Sequence, residues 1–476
     1  MKSHLFLFIA CCLFAANTYA GGIVKLHGKI SNPIADTVSV MYSESWVGYE
    51  PKTITTKLHS DGSFSLSFPV KYNYSIIRIL HGEQGTEIAP MPGDDLTMTV
   101  DANNFDSTLH YSGKGAAIAN FMAAHMMERS FTAIFSSRIQ GSCAFDPDSF
   151  AARSQTSLQK EIDFLNNNGA SLPESFKKMW IANFQYGVYD GTLNYPVFHE
   201  MQKQKSYSIS KFDTADFGPV LTVPAVFDDE MLSSSFYRSY ISKYYKEQLN
   251  AKDRQKGLVP GNHDSVTYSM SIANMPPHSA EVYEASTIYM HVKYEGYSKL
   301  SSMLTGFTER HPNSEFLDLL NEKMAQKEKT AAGTKALDFA INTIDGKTMK
   351  LSDLKGKVVV LDFWASWCGP CMAEMAASKK LEEKYKGKDL VFLYVSLDAD
   401  DAAWKKALDK LEVEGIHMRD GVGGWNGPVA KAYGLQSVPS YYIIDKQGRY
   451  AMDVSPRPSQ TSDFTAAIDK LLQGSL

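Results

Sequence analysis

Cys368 and Cys371 flank Gly369-Pro370, and no other pair in the chain has residue types and spacing so suited to chemistry. On a helix, an i, i+3 spacing puts both sulfurs on one face, close enough to bond with little backbone movement. The first sulfur would stand at the positive end of the helix dipole, which favours thiolate over thiol. A surface thiolate with a partner one turn behind it performs thiol–disulfide exchange. Two elements must position the pair. The run Val358-Val359-Val360-Leu361-Asp362-Phe363-Trp364 reads as a buried strand. Pro370 suits the first turn of a helix, where a missing N–H costs nothing.

The remainder of the chain sets the context. At 476 residues it is too long for one ordinary core, so several domains are expected. With 44% apolar and 21% charged residues the composition is that of a globular protein, and a net charge of −5 points to neither nucleic acid nor an anionic membrane surface. Residues 1–20 read as a signal peptide: Lys2, an apolar stretch from Leu5 to Ala16, then small residues before a cut after Ala20. A lipid anchor on Cys11 or Cys12 is the minority alternative. Cleavage leaves Cys143, Cys368 and Cys371, too few for a disulfide scaffold. No second apolar stretch is long enough to span a membrane.

Periodicity divides the mature chain into three. Residues 21–112 alternate in short runs separated by Asn32-Pro33, Asp61-Gly62 and Pro92-Gly93, which predicts a small antiparallel sandwich or barrel. Residues 113–325 shift to a helical period, with runs at 116–134, 150–165, 176–184, 234–249, 280–304 and 314–327. Phe236, Tyr237, Tyr240, Tyr244 and Tyr245 crowd one of these helices and read as core rather than as a ligand-facing surface. Residues 326–335 read as a linker. From 336 to 476 strands and helices alternate, which predicts an α/β domain. The expected architecture is thus an N-terminal β-sandwich-like domain, an α-helical middle and a C-terminal α/β fold.

Several separated motifs make that last domain resemble the thioredoxin fold, and within it the exported TlpA/ResA-like thiol-disulfide oxidoreductases. They are Ala336-Leu337-Asp338-Phe339, Leu351-Ser352-Asp353-Leu354, Trp364-Ala365-Ser366-Trp367-Cys368-Gly369-Pro370-Cys371, Ser437-Val438-Pro439-Ser440 and Asp445-Lys446-Gln447-Gly448. The resemblance implies that Cys368 attacks from an exposed position and that Cys371, set deeper, resolves the mixed disulfide. A buried thiol needs a proton acceptor. Asp362 stands where thioredoxin carries its buried acid, and Glu374 where the exported reductases carry theirs. We take Asp362 as the main relay and Glu374 as its tuner. Pro439 is expected to be cis and to face the sulfurs, with Val438 offering main-chain hydrogen bonds to a substrate strand and Trp367 apolar contact. Leu337 and Ala376 replace prolines common in the family, which touches partner docking rather than catalysis.

Other signals are weaker. Cys368 and Cys371 have no second Cys or His pair at zinc spacing, and the glycines from 421 to 427 lack dinucleotide spacing, so no metal or cofactor is expected. Cys143 reads as free and incidental. The function expected is a periplasmic protein disulfide reductase, recharged by a membrane electron-donor protein since no nicotinamide or flavin motif is present. One alternative gives residues 22–330 the main role, in binding a partner or ligand. A thiol peroxidase is a third reading, against which stands the missing Pro-x-x-x-Thr-x-x-Cys.

Overall fold

A computed structural model describes residues 21–48, 51–129, 139–204, 223–255, 264–292, 295–411, 413–421, 424–435 and 437–474. The expected signal peptide, the end of the helical run at 116–134 and part of the glycine-rich loop lie outside the described residues. Two compact units divide between Tyr283 and Glu284.

The first unit opens with two four-stranded sheets. One has the order β4 (Ser63–Val70), β1 (Gly22–Ser31), β7 (Asp95–Asp101), β8 (His110–Lys114). The other has the order β3 (Lys52–Lys57), β2 (Thr37–Tyr42), β5 (Ile77–His81), β6 (Gln84–Ile88). Period-2 alternation sends Val24, Leu26, Phe64, Leu66, Val38 and Val40 into one shared core. Each such aliphatic or aromatic side chain contributes about 1.5–3 kcal/mol by leaving water. The sandwich is not purely antiparallel: β1 and β7 run parallel, Leu26 opposite Leu96. Gly62 makes the turn into β4 at φ +80°, and a Cβ there would lie 2.2 Å from the Ile30 carbonyl oxygen.

A short turn α1 (Phe105–Thr108) precedes the helices α2 (Ala116–Arg129), α3 (Pro147–Asn168), α4 (Glu174–Gln204), α5 (Ser235–Gln255), α6 (Asp264–Asn274) and α7 (Pro277–His291). Asp146 caps α3 by accepting from the Ser149 N–H at 3.0 Å. Helix α4 runs twenty residues past the expected stop at 184, with Pro196 inside it. The aromatic helix is α5. Tyr237 and Tyr240 are fully buried and pack against Tyr186 at 4.7 and 5.2 Å between ring centroids.

The second unit contains the C-terminal half of α7, then α8 (Tyr297–Arg310), α9 (Leu317–Glu328) and the C-terminal α/β domain. Residues 280–304, expected as one helix, are two helices with Gly296 as the N-cap of α8. A hairpin of β9 (Ala340–Asn342) and β10 (Thr348–Lys350) leads into a sheet ordered β13 (Ile416–Arg419), β12 (Leu390–Ser396), β11 (Val358–Trp364), β14 (Ser440–Ile444). Around it lie α10 (Gly369–Lys384), α11 (Asp401–Leu411), α12 (Pro428–Ala432) and α13 (Thr461–Leu472). Every residue of β11 is buried, as befits an inner strand covered on both faces. Asp453 ties the preceding helices to this domain. Its carboxylate accepts from the N–H groups of Tyr297 and Ala332 at 3.1 and 2.7 Å, while Lys327 Nζ reaches its carbonyl at 3.2 Å. No helix among the described residues is long and apolar enough to cross a membrane.

Candidate active site

Strand β11 delivers the chain to Trp364, and five residues later α10 begins at Gly369. Asp398 holds the intervening turn: its carboxylate accepts from Ser366 N–H at 2.9 Å, Ser366 Oγ at 2.6 Å and Ser396 Oγ at 2.6 Å. Cys368 is the N-cap of α10 with extended backbone, and Pro370 lies in the first turn. The two sulfurs are bonded, and the Cys371 N–H donates to Cys368 Sγ at 3.1 Å. One of the helix's orphan donors thus points at the sulfur, alongside the dipole.

Cys368 was expected at the surface, yet it is only 5% exposed and Cys371 is fully buried. The closed disulfide and the loop before β14 account for this, since the Val438 carbonyl oxygen stands 3.7 Å from Cys368 Sγ. The Val438–Pro439 bond is cis. Trp367 is 58% exposed and pairs with Trp425, itself 42% exposed, at 6.2 Å between ring centroids. Two indoles therefore form an apolar rim on the side of the sulfurs where Trp367 projects. Trp425 was missed in the sequence because it sits in a glycine-rich stretch that reads as loop.

Asp362 lies on β11 between Tyr394 of β12 and Tyr441 of β14. Alternation places it on the same face as Val360 and Trp364, which pack with Cys371 and Met375 of α10. It is 1% exposed, and neither carboxyl oxygen has a hydrogen-bond partner. Burial drives its pKa well above the ordinary carboxylate range; the Tyr441 hydroxyl tempers the rise and the Glu374 charge adds to it. Tyr441 does not reach hydrogen-bond geometry with Asp362, and its own hydroxyl is also unpartnered. Burial, then Asp362 and Glu374, push the Tyr441 phenol upward in turn.

Glu374, one turn after Cys371, is buried rather than a solvated helix residue. Its carboxylate accepts from Ser459 N–H at 2.9 Å and from Ser459 Oγ at 2.8 Å. The fold thus brings Asp362, Glu374 and Tyr441 into one electrostatic neighbourhood, in which Glu374 is satisfied and Asp362 is not. Tyr441 and Ser459 escaped sequence reading because strand register and an 85-residue separation bring them in. Beside Pro439 and Tyr441 opens a groove of about 700 Å³, walled also by Lys327, Lys431 and Arg457. No cluster that could hold a metal ion occurs among the described residues.

The Redoxin family matches residues 331–467. A thiol-disulfide oxidoreductase ResA of Bacillus cereus is 32% identical over 130 residues, which is 27% of this chain and 73% of that protein. Through this domain, the chain belongs to the ResA-like thiol-disulfide oxidoreductases. The thioredoxin-like protein YneN of Bacillus subtilis is 33% identical over 24% of this chain and 66% of its own length. A solved thiol-disulfide oxidoreductase from Bacteroides fragilis is 26% identical over 27% of this chain and 96% of its own, with a TM-score of 0.25. The Redoxin match begins at residue 331, so the sandwich and most of the helices precede it. In the matched domain, the paired cysteines at a helix N-terminus are the equipment of an enzyme that exchanges thiols and disulfides.

Proposed function

We propose that the protein is a periplasmic protein disulfide reductase in which Asp362 relays the proton of Cys371. The Cys368 thiolate attacks a substrate disulfide, forming a Cys368–substrate bond and releasing one substrate thiolate. Cys371 gives its proton to the Asp362 carboxylate and attacks Cys368 Sγ. The second substrate sulfur leaves as a thiolate, which takes a proton from solvent, and the Cys368–Cys371 disulfide remains. Two electrons have then passed to the substrate, and a membrane electron-donor protein restores the dithiol.

The observation that carries this reading is the Asp362 carboxyl, buried without a hydrogen bond on the sheet face that packs against Cys371. A carboxyl held in that state has the raised proton affinity that a thiol's acceptor needs. Glu374, anchored by Ser459, sets the local field instead. Val438 offers main-chain groups to an incoming strand, Pro439 keeps that strand facing the sulfurs, and Trp367 covers its apolar side chains. The export-type pattern of residues 1–20 supports the periplasm as the compartment.

A redox titration of the mature chain carrying Cys143→Ser, read by thiol trapping, tests the direction. A midpoint near thioredoxin's, about −270 mV, fits a reductase, whereas one near about −120 mV would make the protein an oxidant. Failure of the pair to form a reversible disulfide would sink the proposal.

A further inference from the structure

The larger unit contains a built cavity of about 400 Å³ where the sheet carrying β2 and β5 meets the helices. One wall is flat and aromatic. Trp46 and Tyr72 stack with ring centroids 3.7 Å apart and planes 20° from parallel, and Phe236 adds apolar surface. Arg78 also lines the cavity, and its charge is answered by Glu87 at 3.1 Å.

Arg238 of α5 is different. Its guanidinium donates to the Leu232 carbonyl at 2.5 Å, and among the described residues it reaches no other acceptor and no carboxylate within ion-pair distance. Protein surrounds this side chain, and burial pulls its pKa down to about 10. It is nonetheless partly accessible, by way of the cavity it lines. A cation held this deep without an acid is unfavourable, and an anion arriving from outside would relieve it. Asn183, also on the wall, spends its Oδ1 on the Ser234 hydroxyl at 2.6 Å, so its amide donor is the part left over. The unspent polar capacity of these two residues is therefore donor capacity, set beside stacked rings.

We propose that this cavity binds a small carboxylate with a flat apolar body, its charge on Arg238, an oxygen within reach of Asn183 and its body against the Trp46–Tyr72 wall. The planar guanidinium fork matches a carboxylate in two parallel hydrogen bonds. A lone cation and an aromatic wall suit this better than a doubly charged phosphate. The volume lies in the range of small-molecule sites. The site is independent of the cysteine pair and needs no redox step.

Calorimetric titration of the full chain with 2-naphthoate, and separately with uncharged 2-naphthamide, tests it. Naphthoate is expected to bind, with naphthamide weaker by about tenfold or more, the loss typical of a missing charge-assisted hydrogen bond. Arg238→Met, first checked for an unchanged melting profile, should weaken naphthoate by a similar factor and leave naphthamide unaffected. If Arg238→Met does not fold, Asn183→Leu and Trp46→Leu replace it, each expected to weaken naphthoate several-fold. Equal affinity for the two probes, no binding of naphthoate, or wild-type affinity in the folded variants would overturn the proposal. Disulfide reduction should proceed at the wild-type rate in all three variants.

Discussion

Glu161 in the first unit and Asp362 in the second are both sealed from water, and the two units treat them in opposite ways. Glu161 Oε2 lies 2.7 Å from His125 Nε2, and the His125 ring packs edge-on against Phe164 and Trp180 at 5.2 and 4.8 Å. Asp362 sits in an equally closed place with no hydrogen bond to either oxygen. Leaving a buried polar group unpartnered costs about 1–3 kcal/mol, more if it is charged. Evenly satisfied groups make a scaffold, and an unsatisfied one beside a reactive sulfur stores proton affinity. On the proposed reading, burial alone does not separate a structural acid from a working one; the state of its partners does. The cysteines repeat the contrast. Cys143 is a lone buried thiol pushed up to about 12 by desolvation, which keeps it inert, while Cys368 caps a helix.

The widest gap between the units is expected when sulfurs are replaced. Cys371→Ser should reduce turnover to background and accumulate a Cys368–substrate mixed disulfide visible by mass spectrometry. Cys143→Ser should leave turnover intact, and a comparable loss there would erase the distinction. Next comes Asp362→Asn, which should slow resolution of the mixed disulfide by about 10²–10⁴-fold, the usual worth of a positioned acid or base. Stopped-flow trapping of the intermediate reads this directly. Were Glu374→Gln to slow resolution that much while Asp362→Asn did not, the two acids would have to exchange roles.

How much of this was legible in the sequence follows the same division. The second unit concentrates its chemistry in the short segment from Asp362 to Glu374, and a buried β-branched strand running into Cys-Gly-Pro-Cys announces itself. What stayed hidden there arrives by tertiary pairing: Tyr441 through the register of β14, Ser459 from the turn just before α13, Asp398 from the turn just after β12. In the first unit β6 carries the buried polar residues Thr86 and Glu87, which break the apolar alternation that marks a strand in sequence. Strand β8, His-Tyr-Ser-Gly-Lys, reads as a turn until Tyr111 is seen buried against the core. The parallel pairing of β1 with β7 leaves no local trace at all. Arg238 could be named only once the fold showed that no acid among the described residues answers it.

A smaller effect tests the scaffold side of the contrast. Glu161→Leu strands the buried His125 nitrogen and should destabilise the first unit by about 1–3 kcal/mol. Calorimetry of the full chain would read this as a lowered transition, with disulfide reduction at low temperature unchanged. No change in melting would mean that the His125–Glu161 pair carries no net stability, as some buried pairs do not.

The smallest effect has the opposite sign. The folded-state pKa of Asp362 is raised by burial, so folding binds a proton there that the unfolded chain releases at ordinary carboxylate pH. Such a group contributes fully below the unfolded value of about 4 and loses that contribution as pH rises towards the folded value. Asp362→Asn removes the ionisation and with it the loss. The variant should therefore match the wild type in stability near pH 4 and exceed it progressively at higher pH, measured on the oxidised protein. The gain stays modest because the asparagine amide inherits the same lack of partners. Equal stability of variant and wild type across the range would mean that Asp362 is reached by water and is not the stored proton acceptor proposed; a variant less stable at pH 8 would mean that the carboxylate is held by bonds. Glu161→Leu and Asp362→Asn thus move stability in opposite directions at neutral pH, and only the second also moves the chemistry.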